Sequence, residues 1–361
     1  MPLSSAALIK DIGSLADGFR DLAENEARAL FVAMLAGGVS PPELRAIVLA
    51  FRVKGESLVE MIGFMRALDA HIGRLEAAVD RPRPVVLPSY DGTCRQPNLT
   101  ALLALLLKRY GVPVLVHGPS AELGSDSTFC GKVESDRNSD PNSESDPNSD
   151  SRNFPFPVRV TTGEVLWELG IEPASSLADA QARLLHDNIA YLPTGVLAPG
   201  LPQLLACRPL PGVPSSAHSL AKLIDPFGGD GYRVVSVAHP NHLARIREFL
   251  AVTRANALLL HGTEGEPFAN PCRQPLLEHF AAGAGTVCNE ADPEMPTDMP
   301  QLPATRDAAT TAAWIAQALS GEQPLPPPIV AQLGCCLIGA RRQAPAAENP
   351  RDSHLDPYVD P

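Results

Sequence analysis

The stretch "PVVLPSYDGTCRQPNLTALLALLLKRYGVPVLVHG", Pro84–Gly118, decides the fold. It opens with a short apolar run, "VVLP", and closes with another, "VPVLVHG". Between them "NLTALLALLLKRYG" is too long for a strand, is apolar on almost all sides and ends at a glycine, which reads as a buried helix. Strand, helix and strand within about thirty-five residues predict a right-handed βαβ unit, hence neighbouring parallel strands. The alternation recurs downstream in "YRVVSVAHP", "HLARIREFLAVTR" and "NALLLHGTEG", residues 232–265. In open α/β sheets ligands sit beyond the carboxyl ends of the strands. Those ends here carry "PSYDGTCRQPN", "HGPS", "AHPNH" and "HGTEGEPFANP".

Upstream, residues 5–80 read as short amphipathic helices that need a partner surface. Ala27, Leu30, Phe31 and Met34 form one stripe, closed by Gly37-Gly38. Ser40 caps a second helix with proline in its first turn and an apolar face through Leu44, Ile47, Val48 and Phe51. Ser57 and Glu60 make a capping box for a third. The expected organisation is an α/β protein with a small helical N-terminal lobe and a larger lobe holding a mostly parallel sheet flanked by helices. The helical lobe spans 1–82, joined by helices from about 176–210, and the α/β lobe spans 83–343. Residues 119–153, which contain the repeat "SDPNSESDPNSD" (Ser139–Asp150), are too polar to offset ordering entropy and read as a disordered acidic insert. Residues 344–361 read as a frayed tail.

The chain has 361 residues, 41 acidic and 29 basic side chains and a net charge of −12, which argues against non-specific binding to DNA or anionic membrane. Eight acids and three bases fall in the insert, and four acids and one base in the tail, so the folded body is only mildly acidic and retains room for a basic face. The longest apolar run, Ala29–Ala36, is far too short for a membrane span, and the N-terminus lacks the pattern of a secretory signal. Seven cysteines without a C-x-x-C pair fit reduced thiols and a cytoplasmic location. Vicinal Cys335-Cys336 fits small buried helix residues better than a soft-metal site, and His239 and His242 fit a helix start better than a metal pair.

These motifs resemble the anthranilate phosphoribosyltransferases (glycosyl transferase family 3). "ALFVAMLAGGVSPPELRAIVLAFRVKGESLVEMIGFMRAL" resembles their helical lobe, and "GVPVLVHG" their strand leading to Lys-His-Gly-Asn. "TTGEVLWELGI" and "GVPSSAHSLAKLIDP" resemble two further family segments, over residues 5–118 and 154–340 in all. "VLPSYDG", "QPNLTALLALLL", "SAHSLAKL" and "GTEGEPFANP" resemble the divergent YbiB-type members.

The resemblance implies a cleft for a phosphate-bearing ligand at Asp91, Gly92, Asn98, Thr100, His117, Gly118 and His218, with Ser219 beside it. The same comparison shows departures. Pro88-Ser89-Tyr90-Asp91-Gly92 stands where the family has Gly-Thr-Gly-Gly-Asp, Val116 where it has lysine, Pro119 where it has asparagine, and Pro214 where it has the arginine that grips the acceptor. Pro267-Phe268 stands at the Asp-Glu metal pair, and Glu264 and Glu266 are the candidate substitutes. Mg²⁺ is expected only if transferase activity is retained. Losing the charged partners and glycines together would cost many powers of ten in rate. The sequence therefore points to a family member without anthranilate phosphoribosyl transfer, a binding protein for nucleic acid or a phosphate-bearing ligand. The alternative is a phosphoribosyl or other glycosyl transferase with a different acceptor. The YbiB-type resemblance implies a homodimer pairing through the helical lobe and non-specific DNA or RNA binding, with Arg52, Lys54, Arg95, Lys108, Lys222 and Arg273 as candidate bases and no membrane partner.

Overall fold

The computed structural model describes residues 20–120, 159–207, 216–237, 242–292, 294 and 301–342. The acidic repeat, the C-terminal tail, Pro214 and His239 lie outside them. The N-terminal helices are α1 (Glu24–Leu35), α2 (Pro41–Lys54) and α3 (Leu58–Asp69). Their starts follow from the caps: Glu43 accepts from the Ser40 backbone N–H at 3.1 Å, and Ser57 Oγ accepts from Glu60 N at 3.3 Å. Glu60 does more than cap. Its fully buried carboxylate also accepts from Leu22 N and from Lys54 Nζ, at 2.7 and 2.6 Å, so one side chain ties three segments of the lobe.

Among the described residues the sheet has seven strands, in the order β3-β2-β1-β4-β5-β6-β7. These are β1 (Val85–Pro88), β2 (Val114–Gly118), β3 (Ile189–Pro193), β4 (Tyr232–Val237), β5 (Ala257–His261), β6 (Leu277–Ala281) and β7 (Ala284–Asn289). The first five are parallel, and β6 and β7 extend the sheet antiparallel. Helix α4 (Thr100–Arg109) makes the crossover between β1 and β2, with Ala101–Ala104, Leu106 and Leu107 buried. The remaining helices among the described residues are α5 (Thr162–Glu168), α6 (Leu177–His186), α7 (Thr194–Leu197), α8 (Leu201–Ala206), α9 (Ser216–Ala221), α10 (Leu243–Val252), α11 (Ala308–Ser320) and α12 (Pro327–Ala340).

Both faces of the sheet are covered, which is why its central strands are mostly apolar rather than alternating, with buried His117 on β2 and Arg233 and Ser236 on β4 as polar exceptions. Side chains point alternately to opposite faces. Val86, Leu115, Ala190, Val235 and Leu259 join the core of the helical lobe, with α8 against α1. Val85, Leu87, Val114, Val116, Val234 and Leu258 join a second core under α4, α11 and α12. Cys336, fully buried on α12, belongs to that second core. From β1 the chain moves outward through β2 to β3, then returns to place β4 on the other side of β1. The switch point of the topology thus lies between β1 and β4, and the crevice beyond their carboxyl ends faces the helical lobe.

Candidate functional site

Beyond β1 the chain turns through Ser89–Asn98 before entering α4. Gly118, at the end of β2, lies so close to this turn that a Cβ there would sit 2.1 Å from the Ser89 carbonyl oxygen. Asn98 organises the helix entry: its Oδ1 accepts from Thr100 N at 3.2 Å and lies 3.1 Å from Thr162 Oγ1, and its Nδ2 donates to Val160 O at 3.1 Å. The turn exposes a row of backbone N–H groups near a helix N-terminus, the type of cradle that holds phosphate oxygens.

The protein fills this cradle with its own carboxylates. Beyond β5, Thr263–Glu266 forms a tight turn, closed by Glu266 N donating to Thr263 O at 2.9 Å. Its two central residues, Glu264 (φ 53°) and Gly265 (φ 94°), are both left-handed, as in a type I′ turn. Gly265 is required twice over, since a Cβ would also meet Asp91 Oδ2 at 2.1 Å. Glu266 is fully buried. Its Oε1 accepts from Asp91 N and Gly92 N at 2.9 and 2.7 Å. Its Oε2 accepts from Ser89 Oγ and from Thr162 Oγ1 and Thr100 Oγ1, the last two at 3.2 and 3.4 Å. Glu264 accepts from the backbone N–H groups of Cys94, Arg95 and Gln96, at 3.1, 2.8 and 3.0 Å, and from the Cys94 thiol at 3.3 Å.

Two cations hold the turn in place. Lys222 Nζ pairs with Asp91 and donates to Gly265 O at 2.7 Å, with Ser236 Oγ donating to the same carbonyl. Arg159 donates to Asp91 O at 2.6 Å and Gly92 O at 2.9 Å and pairs with Glu264 at 3.6 Å. Burial opposes the ionisation of Asp91, but the Lys222 charge and hydrogen bond, with His218 and Arg159, outweigh it and hold its pKa below the usual range. Glu266 goes the other way: burial and the nearby Asp91 charge push its pKa up against the donors Ser89 and Gly92 and the charge of Lys222. Burial likewise opposes ionisation at Glu264, where the Cys94, Arg95 and Gln96 donors prevail and lower its pKa.

Both glutamates face N–H and O–H donors, the surroundings of a seated anion. A Mg²⁺ ion needs free oxygen lone pairs in octahedral array, and the donors at Glu264 and Glu266 already use them. No group of three or more His, Cys, Asp or Glu that could hold a metal occurs among the described residues. The residues present therefore do not fit the ion.

The other sequence candidates separate into several places. His117 is fully buried, its Nδ1 2.7 Å from Tyr90 Oη, and its Nε2 has no partner among the described residues. Burial pushes its pKa down to about 3, so the ring is neutral. His218, Ser219 and Asp91 line a cavity of ≈ 290 Å³ between the lobes, lined from the helical lobe by Phe51, Arg52, Glu56 and Met61 and from the sheet lobe by Val235, Val237, Arg245 and Ile246. Arg52 stands exposed at this cavity and makes no ion pair among the described residues, whereas Arg245 pairs with Glu56 at 3.7 Å. His242, exposed at the start of α10, lines it too.

Lys54 and Lys222, by contrast, are 5% and 8% exposed and committed to Glu60 and Asp91. Arg95 and Arg273 lie on loops at the carboxyl edge of the sheet, and both are exposed. Lys108, at the C-terminal end of α4, is half-buried and at the opposite edge. Sequence reasoning missed Arg159, Arg245, Thr162 and Ser236. Thr162 stands in the family-like segment "TTGEVLWELGI" but was not singled out there, and Arg159 follows closely on the polar insert.

Comparisons with known proteins agree with this architecture. Residues 12–72 match the family described as "Glycosyl transferase family, helical bundle domain". The chain is 36% identical over 338 residues to the uncharacterized protein YbiB of Escherichia coli (strain K12), covering 93% of this chain and 94% of that one. It is 25% identical over 258 residues to the anthranilate phosphoribosyltransferase of Rhodopirellula baltica, covering 70% of this chain and 63% of that one. Among solved structures, the anthranilate phosphoribosyltransferase of Thermus thermophilus superposes with a TM-score of 0.65 at 20% identity, covering 92% of this chain and 88% of that one. The Saccharomyces cerevisiae enzyme in complex with PRPP and Mg superposes with a TM-score of 0.62 at 13% identity, covering 91% and 86%.

Proposed function

Because the chain belongs to the anthranilate phosphoribosyltransferase-like glycosyl transferase family, with YbiB of Escherichia coli as a full-length relative, we propose that it is a binding protein of that family. On this reading it does not carry out anthranilate phosphoribosyl transfer. Its ligand is a polyanion, nucleic acid before any small phosphate-bearing molecule, taken at the cleft between the lobes. One observation carries the reading: Glu266 and Glu264 occupy the backbone N–H groups of the turn at 91–96. A sugar diphosphate would need the same donors to hold its leaving group, and Ser89 and Tyr90 place side chains where the family turn is bare. Transfer to a nucleophile requires that charge to be stabilised as it develops, and here the donors are spent.

The open cations support the choice of ligand. Arg52 and Arg245 both line the cavity, and Arg95 and Arg273 add exposed charge at the sheet edge. Fluorescence anisotropy with a labelled oligonucleotide, titrated across salt, tests the proposal. Phosphate contacts predict a steep linear fall of log K with log salt. The Arg52→Glu/Arg245→Glu variant should bind about tenfold or more weakly and lower the salt slope by about 2. Calorimetry with phosphoribosyl pyrophosphate and Mg²⁺ should show no heat at millimolar ligand. Heat there, followed by release of pyrophosphate with any acceptor, would overturn the binding reading in favour of a transferase with another acceptor.

A further inference from the structure

We infer that Glu264 and Glu266 are the specificity-determining residues that close the 89–100 turn to phosphoanions, each carboxylate occupying a seat that would otherwise take a phosphate group. The inference deepens the functional reading above and rests on its view of the turn as an anion cradle.

The seats are two and adjacent. The first consists of Asp91 N, Gly92 N and the hydroxyls of Ser89, Thr100 and Thr162 around Glu266. The second consists of the N–H groups of Cys94, Arg95 and Gln96 around Glu264. Five backbone donors and three hydroxyls converging on two anions make up the donor set a diphosphate would use. The supply of acceptors is also costly in backbone terms. Glu264 is a non-glycine residue held at φ 53°, and such a conformation persists only where the surroundings over-determine it. Its carboxylate bonds to three successive N–H groups are what over-determine it.

Charge points the same way. Asp91, Glu264 and Glu266 against Lys222 and Arg159 leave the closed cradle at −1 when all three acids are ionised and at 0 when Glu266, whose pKa burial raises, is protonated; neither state attracts a phosphoanion. Without the two glutamates the same shell carries +1, with eight donors unfilled. The seat is therefore shut both by occupancy and by sign, and both depend on the same two residues.

Inorganic pyrophosphate without Mg²⁺, at matched ionic strength against chloride, is the probe, read by thermal melts and calorimetry on the full chain. The parent should be unmoved at millimolar pyrophosphate. Glu264→Ala/Glu266→Ala should melt lower than the parent in chloride and regain several degrees with pyrophosphate. Glu264→Ala alone, whose side chain is partly exposed and safer to remove, should respond to inorganic phosphate through the freed N–H groups of 94–96. That single variant decides the matter if the double variant does not fold. The inference is overturned if the parent binds pyrophosphate as well as the variants do, or if Glu264→Ala gains no response to phosphate. Adding Arg52→Glu to either variant should leave the response intact, so failure at the cleft and failure at the cradle are told apart.

Discussion

The cradle at 89–100 and the cavity between the lobes lie side by side, share Asp91, and are built on opposite principles. In the cradle every described carboxylate is matched at close range: Glu266 by two N–H groups and three hydroxyls, Glu264 by three N–H groups, Asp91 by Lys222. In the cavity Arg52 stands without an ion pair among the described residues, and Arg245 has only a loose one. A buried charge must find its partners within the fold, whereas an exposed one can wait for a ligand. The contrast separates a region whose charges are all spent on the fold from one that keeps Arg52 exposed without an ion pair among the described residues, although both open on one cleft.

Breaking the cradle should cost far more than altering the cavity. Lys222→Met leaves the buried Asp91 carboxylate without its ion-pair partner, while the Gly265 carbonyl keeps its bond from Ser236, and should lower stability by about 3–5 kcal/mol, seen as a large fall in the urea midpoint. Glu264→Gly relieves the left-handed strain but frees three N–H groups, for a net loss of about 1–2 kcal/mol in the same assay. A third variant tests the burial of Glu266 through pH. Its folded-state pKa is raised, so the fold favours the protonated form. The stability this contributes is fully present below the ordinary glutamate pKa and is lost as pH rises through the raised value. Glu266→Gln is neutral throughout and its amide can donate to the hydroxyls. Melts of parent and variant should therefore run close together in acid and diverge in the variant's favour as pH climbs toward neutral. A constant offset would mean that Glu266 is ionised with no penalty. Smallest of all, Arg52→Ala should change stability by no more than about 0.5 kcal/mol, and a larger loss would show that the cavity cation is also structural.

Much of the fold was legible because it rests on local patterns. The runs at 85–88 and 114–118 were apolar almost throughout because both faces of the sheet are covered, and Ser40 and Ser57 announced helix starts that their hydroxyls and glutamates do make. The antiparallel pair β6 and β7 gave no comparable signal, since "LEHFA" and "AGTVCN" neither alternate cleanly nor run apolar. The candidate site was legible as a list of residues but not as a set of roles. Lys54 and Lys222 looked like available bases, yet each is consumed by a carboxylate that its own segment does not identify as a partner. Glu264 and Glu266 looked like metal substitutes, and the direction of the groups around them makes them anions in a donor shell instead.

The sequence by itself determined the βαβ alternation and the helical lobe ahead of it. Periodicity, capping and motif identity are properties of neighbours along the chain, so they survive without coordinates. Only the tertiary structure decided what fills the cradle. The bonds from Glu266 to Ser89, Asp91 and Gly92 span 174–177 positions, and a carboxylate's role is set by whether cations, donors or water surround it. Those surroundings come from chain segments brought together by folding, and no local pattern encodes them.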